Sequence, residues 1–244
     1  MKIVISESQY NRLIETEEEQ KVLHVPSLKF FNDDWDLLQK FLKLKGNPLY
    51  SIGGDLYLEG TRIESLGNLQ SVGGSLYLGY TPIQSLGNLQ SVGGYLNLYK
   101  NPIKSLGNLQ SVGGSLYLEN TPIQSLGNLQ SVGGSLNLGY IPIESLGNLK
   151  SVGGSLNLYK NPIKSLGNLT SVGGSLNLYK TPIKSLENLK KVGENLDLRE
   201  SKIKSLGDLE FVGGNLFLSN TPLSKKYTEK QIRKMVYVQR GVYF

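Results

Sequence analysis

Residues 71–90 read SVGGSLYLGYTPIQSLGNLQ, residues 111–130 read SVGGSLYLENTPIQSLGNLQ, and residues 151–170 read SVGGSLNLYKNPIKSLGNLT. These are copies of one unit, and the period is 20 residues without insertion. Eight complete units fill 51–210; a ninth begins at Phe211 and leaves the pattern after Leu223. Numbering the unit from 1 to 20, apolar residues recur at positions 2, 6, 8, 13, 16 and 19, which in the second unit are Val72, Leu76, Leu78, Ile83, Leu86 and Leu89. Leu76 and Leu78 alternate with Ser75, Tyr77 and Gly79, the period-two pattern of a strand with one buried face. Three corners are expected. Gly73-Gly74 supplies a tight turn because glycine tolerates positive φ, Thr81-Pro82 a second where proline fixes φ, and Gly87-Asn88 a third. Three extended pieces and three corners make one coil of a solenoid.

A lone coil cannot stand, because its few buried aliphatic side chains do not offset the entropy of ordering its whole backbone. Stability has to come from stacking, with each coil hydrogen-bonded to its neighbours and a continuous Leu, Ile and Val column between them. Nine coils at ~4.8 Å spacing give a rod about 40 Å long.

The pattern Leu76-x-Leu78-x-x-Thr81-x-Ile83 resembles the LxLxxNxL core of leucine-rich repeats, with Asn101 and Asn161 supplying the family's asparagine. The stretch SLGNLQSVGGSLYL is similar to the repeats of receptor L domains, which are right-handed, leucine-rich-repeat-like β-solenoids. The likeness covers about residues 51–223. It implies a mainly β, right-handed solenoid of 20-residue coils with a binding or scaffold role rather than catalysis. It does not bring secretion or a receptor role with it, since the chain has no cysteine-rich cap.

A solenoid must cover its open ends. Residues 21–50 form the expected N-terminal cap, with Asn32 as N-cap of a helix over 33–44, Trp35, Leu38, Phe41 and Leu42 as its apolar stripe, and Gly46 as its stop. The repeats span 51–223, and 224–244 form a C-terminal cap. There Thr228 and Gln231 have capping-box spacing, and Ile232, Met235 and Val236 share a helical face. Val238, Val242 and Phe244 then repeat the spacing of Val72, Leu76 and Leu78, one last imitation strand. Residues 1–20 are a separable leader or cap element. This opening resembles those of uncharacterised tailed-bacteriophage proteins, and Leu13-Ile14-Glu15 is similar to the Leu/Ile-x-Glu sequence at which a phage prohead protease cuts leaders. The resemblance implies a structural or packaged component of a phage particle as the alternative to a scaffold.

Composition narrows the chemistry. The 244 residues include no cysteine and one histidine, so thiolate nucleophiles, disulfides, iron-sulfur clusters and multi-histidine metal sites are excluded. His24 lies in the alternating stretch 22–25, in the expected position of a cap residue rather than a base. Carboxylates between 51 and 180 are scattered at Asp55, Glu59, Glu64, Glu119 and Glu144, with no pair recurring on adjacent rungs. No enzyme activity, cofactor or metal is expected. The formal charge of +6 divides into −1 over 1–50, +2 over 51–210 and +5 over 211–244. The rod body therefore has no single-sign field for a phosphate backbone, and nucleic acid is not an expected partner. Lys225, Lys226, Lys230, Arg233 and Lys234 are expected on a solvated outer face. No bilayer-spanning run and no signal-peptide core are visible, and a cytoplasmic, non-Sec location, in a host cell or a virion, is expected.

What varies between near-identical coils marks the candidate site. On the outward face positions 5, 7 and 9 hold Tyr57, Tyr77, Tyr95, Tyr99, Tyr117, Tyr159 and Tyr179, position 10 adds Tyr80 and Tyr140, and position 7 carries Asn137, Asn157 and Asn177. This is an amphipathic sheet face suited to a protein or glycan partner. The same columns equally make ladders that stabilise the stack rung on rung. A basic ladder at position 14, Lys104, Lys164, Lys184 and Lys204, is a second candidate, for an acidic partner. Association of copies by end or edge stacking is also open. The expectation is a non-catalytic scaffold binding through its tyrosine and asparagine face.

Overall fold

The computed structural model describes residues 22–244, so the expected leader over 1–20 lies outside the described residues. Each coil contributes one short strand at positions 1 and 2 and another at positions 6 and 7, as in Ser91–Val92 and Leu96–Asn97. Among the described residues these strands stack into two parallel sheets, of 11 and 10 strands. We call them the valine sheet and the leucine sheet, because Val112, Val132 and Val152 lie over one another in the first, and Leu116, Leu136 and Leu156 in the second. The third side carries only isolated bridges such as Ser105 to Ser125. All six apolar positions point inward: Val132, Leu136, Leu138, Ile143, Leu146 and Leu149 are each at most 1% exposed. The protein is a mainly β solenoid with a 20-residue period, as its sequence predicts.

Two of the three corners differ from expectation. Gly73 and Gly74 do not have positive φ. Their reason is the close approach of rungs: a Cβ on Gly93 would fall inside van der Waals contact of the Gly73 carbonyl oxygen, and the clash recurs at Gly113, Gly133, Gly153 and Gly173. Meanwhile the Gly93 N–H donates to the Val72 carbonyl at 2.8 Å, holding the rungs at that spacing. The second corner lies before Thr81-Pro82, at positions 9 and 10, and position 10 takes left-handed backbone in every coil, with φ 59° at Tyr80 and 53° at Lys100. Thr81 is inside, its hydroxyl donating to the Leu78 carbonyl at 2.7 Å. Asn101 continues that buried column, donating from Nδ2 to Thr81 Oγ1 at 2.9 Å. The third corner stands as expected, with Gly87 at φ 57°.

At the N-terminal end, helix α1 runs Trp35–Leu44. Its N-cap is Asp34, whose carboxylate accepts from the Leu37 N–H at 2.9 Å, and not the expected Asn32. Asn32 instead ends a 3-10 helix over Leu28–Phe31 in left-handed backbone, so the chain turns twice before α1 can start. Trp35, Leu38, Phe41 and Leu42 are buried against the first coil as expected. Tyr50 fastens the cap, donating to the Leu66 carbonyl at 2.7 Å and accepting from Gln39 Nε2 at 3.1 Å; burial holds its phenol far above the usual range. His24 sits in the strand Leu23–Val25, with Nδ1 3.0 Å from Ser51 Oγ. Pro26 follows Val25, the partner of Ile52, so among the described residues the N-terminal edge of the valine sheet has no N–H at that position.

At the other end α2, Pro222–Lys226, and α3, Glu229–Met235, precede the terminal strands Tyr237–Val238 and Val242–Tyr243. Val238 pairs with Val212 and Val242 with Leu216, the expected imitation rung. Ile232 and Val236 are buried, whereas Met235, expected on the same face, is 46% exposed because no further coil covers it. Within the repeats, Gly93 and Gly94 N–H groups donate to the Val72 and Gly74 carbonyls at 2.8 Å. At the last rung the corresponding carbonyls, of Val238 and Arg240, accept from Nη1 and Nη2 of Arg233, both at 2.8 Å. One guanidinium thus takes the place of the two glycine N–H donors seen within the repeats, and Glu229 orients it at 2.8 Å. Arg233→Ala is expected to cost about 1 kcal/mol and, by baring a strand edge, to produce concentration-dependent association in sedimentation velocity. A variant that sediments as the parent does would contradict this role.

Candidate ligand-binding corner

The expected tyrosine face divides in two, because only positions 6 and 7 are strand while 9 and 10 form a turn. Tyr57, Tyr77 and Tyr117 are on the leucine sheet and Tyr95 stands just before it. Tyr80, Tyr99, Tyr140, Tyr159 and Tyr179 are on the corner. On the sheet, Tyr57 and Tyr77 stack with centroids 4.8 Å apart and planes at 8°, and Tyr95 tilts against Tyr117 at 6.3 Å. The asparagines bond within the stack: Asn157 Nδ2 donates to Asn137 Oδ1 at 3.0 Å, and Asn177 Oδ1 accepts from the Tyr179 N–H at 3.0 Å. They are half-buried, which leaves tyrosine and lysine as the groups most available to a ligand.

On the corner one arrangement occurs twice. In the first, Lys100 places its ammonium 5.2 Å from the Tyr80 ring centroid and 5.3 Å from that of Tyr99, whose rings meet edge to face at 5.3 Å. In the second, Lys160 lies 5.8 Å from Tyr140 and 5.2 Å from Tyr159, whose rings also meet edge to face at 5.3 Å. The Tyr140 hydroxyl hydrogen-bonds Tyr159, raising the Tyr140 phenol pKa, and together with Lys160 this lowers that of Tyr159. Tyr80 and Tyr140 are 54% and 69% exposed. Tyr179 stacks on Tyr159 at 5.4 Å and extends the second clasp by one rung, where Lys180 pairs with Glu200 at 3.3 Å. The Tyr179 hydroxyl donates to Glu200 at 2.6 Å and holds that carboxylate below its usual range. Sequence alone did not reveal these clasps as pairs, although the recurrence of Gly-Tyr followed one unit later by Tyr-Lys, at 79–80 and 99–100 and again at 139–140 and 159–160, was there to be read.

The basic ladder at position 14 is on the neighbouring side. Lys164 is paired with Glu144 at 2.7 Å, while Lys104, Lys184 and Lys204 are exposed. A furrow of about 620 Å³ runs along the outside of the valine sheet, lined by Ser, Val and Gly of successive coils and ending at Lys191. Its lining is small and neutral for six rungs, without the convergent polar groups that fix a ligand. Among the described residues no three His, Asp or Glu side chains gather as metal ligands, and no helix is long and apolar enough to cross a membrane. No family model and no curated protein matches the chain. The corner thus presents two clusters of aromatic faces and ammonium groups, three rungs apart along the stack.

Proposed function

We propose that the protein is a non-catalytic scaffold that binds a macromolecular partner through the tyrosine and lysine corner and the adjoining tyrosines of the leucine sheet. The observation that carries this reading is backbone strain. Left-handed backbone at a side chain such as Tyr or Lys costs roughly 1 kcal/mol, which glycine escapes and asparagine reduces. Gly60, Asn120 and Asn220 meet that requirement at position 10, whereas Tyr80, Lys100, Tyr140, Lys160, Lys180 and Glu200 do not. Bulky side chains held against their backbone preference point to a role other than folding. The leucine-rich-repeat resemblance of the coils supports binding in the same way.

Replacing Tyr80, Lys100, Tyr140 and Lys160 together by Asn tests this, because Asn suits left-handed backbone. The unfolding midpoint is expected to hold or rise, while ligands retained by the parent on a glycan and peptide array weaken by about tenfold or more. Retention at parental strength would remove the corner as the binding site.

A further inference from the structure

We infer that the corner takes a linear acidic polysaccharide whose carboxylates are separated by uncharged sugar. The inference rests on the reading of the corner as a binding surface and names its ligand class. Each clasp joins an exposed phenol ring, suited to the C–H face of a sugar, to an ammonium suited to a carboxylate. The ion pairs among the described residues engage Lys164, Lys180, Arg199 and Arg233, and neither Lys100 nor Lys160 is in one. Both clasp ammonium groups therefore keep their charge for a ligand.

Spacing selects among anions. Lys100 and Lys160 are three rungs apart, about 14 Å at the stacking distance of parallel strands. Between them the corner is not basic: Glu119 occupies position 9 of the first of the two intervening coils and accepts from Asn137 Nδ2 at 3.3 Å. A nucleic-acid strand carries a charge about every 3.4 Å, so several phosphates would lie in that interval, facing a carboxylate. A polymer with one acid group per repeat and neutral sugar between matches both the two cations and the gap. Two like clasps three rungs apart suit a ligand that repeats its acid group better than an irregular acidic patch on a protein.

The test uses the full chain and four probes in calorimetric titration: hyaluronan oligosaccharides with one carboxylate per disaccharide, the same oligosaccharides as methyl esters, single-stranded oligo(dT), and poly-glutamate. The acid form is expected to bind, to weaken with added salt, and to lose about tenfold in affinity both on esterification and in a Lys100→Gln, Lys160→Gln double variant with an unchanged unfolding midpoint. Equal binding of the ester, tighter binding of oligo(dT) or poly-glutamate, or no binding of the acid form would each overturn the inference. If the parent ignores hyaluronan while the four-position Asn variant still loses ligands on the array, the corner stands as a binding surface and only the ligand class falls. If the Asn variant binds hyaluronan as the parent does, both fall.

Discussion

Gly133→Ala is expected to be among the most damaging single-methyl additions to this protein, costing about 3 kcal/mol, the upper end of what overpacking a well-filled interior costs. The position is not one of unusual φ. The methyl group would overlap the Gly113 carbonyl oxygen of the preceding rung, which is backbone and has nowhere to go. The Gly133 N–H is bonded to the Val112 carbonyl at 2.8 Å and the Gly153 N–H to the Val132 carbonyl at 2.8 Å, so the rung is held from both sides. Relief requires separating two coils and stretching those bonds. Gly147→Ala is the control. It has φ 57° but open space around the added Cβ, and it is expected to cost only about 1 kcal/mol, the strain of left-handed backbone. Glu187, at the same position in a later coil with φ 51°, shows that a side chain is accepted there. Urea unfolding of the two variants checks the contrast, and equal midpoints would mean that rung spacing is not what the glycine protects.

The second large effect is expected from Leu136→Ala. Leu136 is 1% exposed, lies between Leu116 and Leu156 in the leucine column, and opens a cavity on truncation that costs about 3 kcal/mol. Its distribution along the rod is as informative as its size. Each coil touches chiefly its two neighbours, so stability is approximately a sum of coil and interface contributions. Amide hydrogen exchange should therefore quicken most in the coils from 111 to 170, with smaller changes in the cap around Tyr50 and in the terminal rung around Val238. Uniform acceleration from cap to cap would show instead that the rod unfolds as one cooperative block.

Much of this architecture was legible because the repeat averages over its own noise. Val at position 2 in every coil but the first, where Ile52 stands, and Leu at positions 6 and 8 in every coil leave one assignment of inside and outside, and the imitation rung at Val238 and Val242 followed from the same spacing. What was misread depended on neighbours in space. Gly73-Gly74 has the composition of a positive-φ turn, and only the approach of Gly93 to the Gly73 carbonyl shows the actual reason. Asn32 is a good N-cap by type, yet Asp34 caps α1 because the chain must first turn out of the 3-10 helix. The tyrosine columns were identified, but their division between sheet and corner was not. Pro82 drew the corner two residues downstream of where left-handed backbone at Tyr80 puts it.

Arg233 bears on a question of size. A stack of like units has no intrinsic finishing point, since on the valine sheet every rung ends in the same acceptors that recruited it. Here two of those acceptors, the Val238 and Arg240 carbonyls, are satisfied by one side chain that presents no new acceptor in their place. Because the guanidinium reads only backbone carbonyls, the same contact would close this edge of the valine sheet in a stack of fewer or more coils.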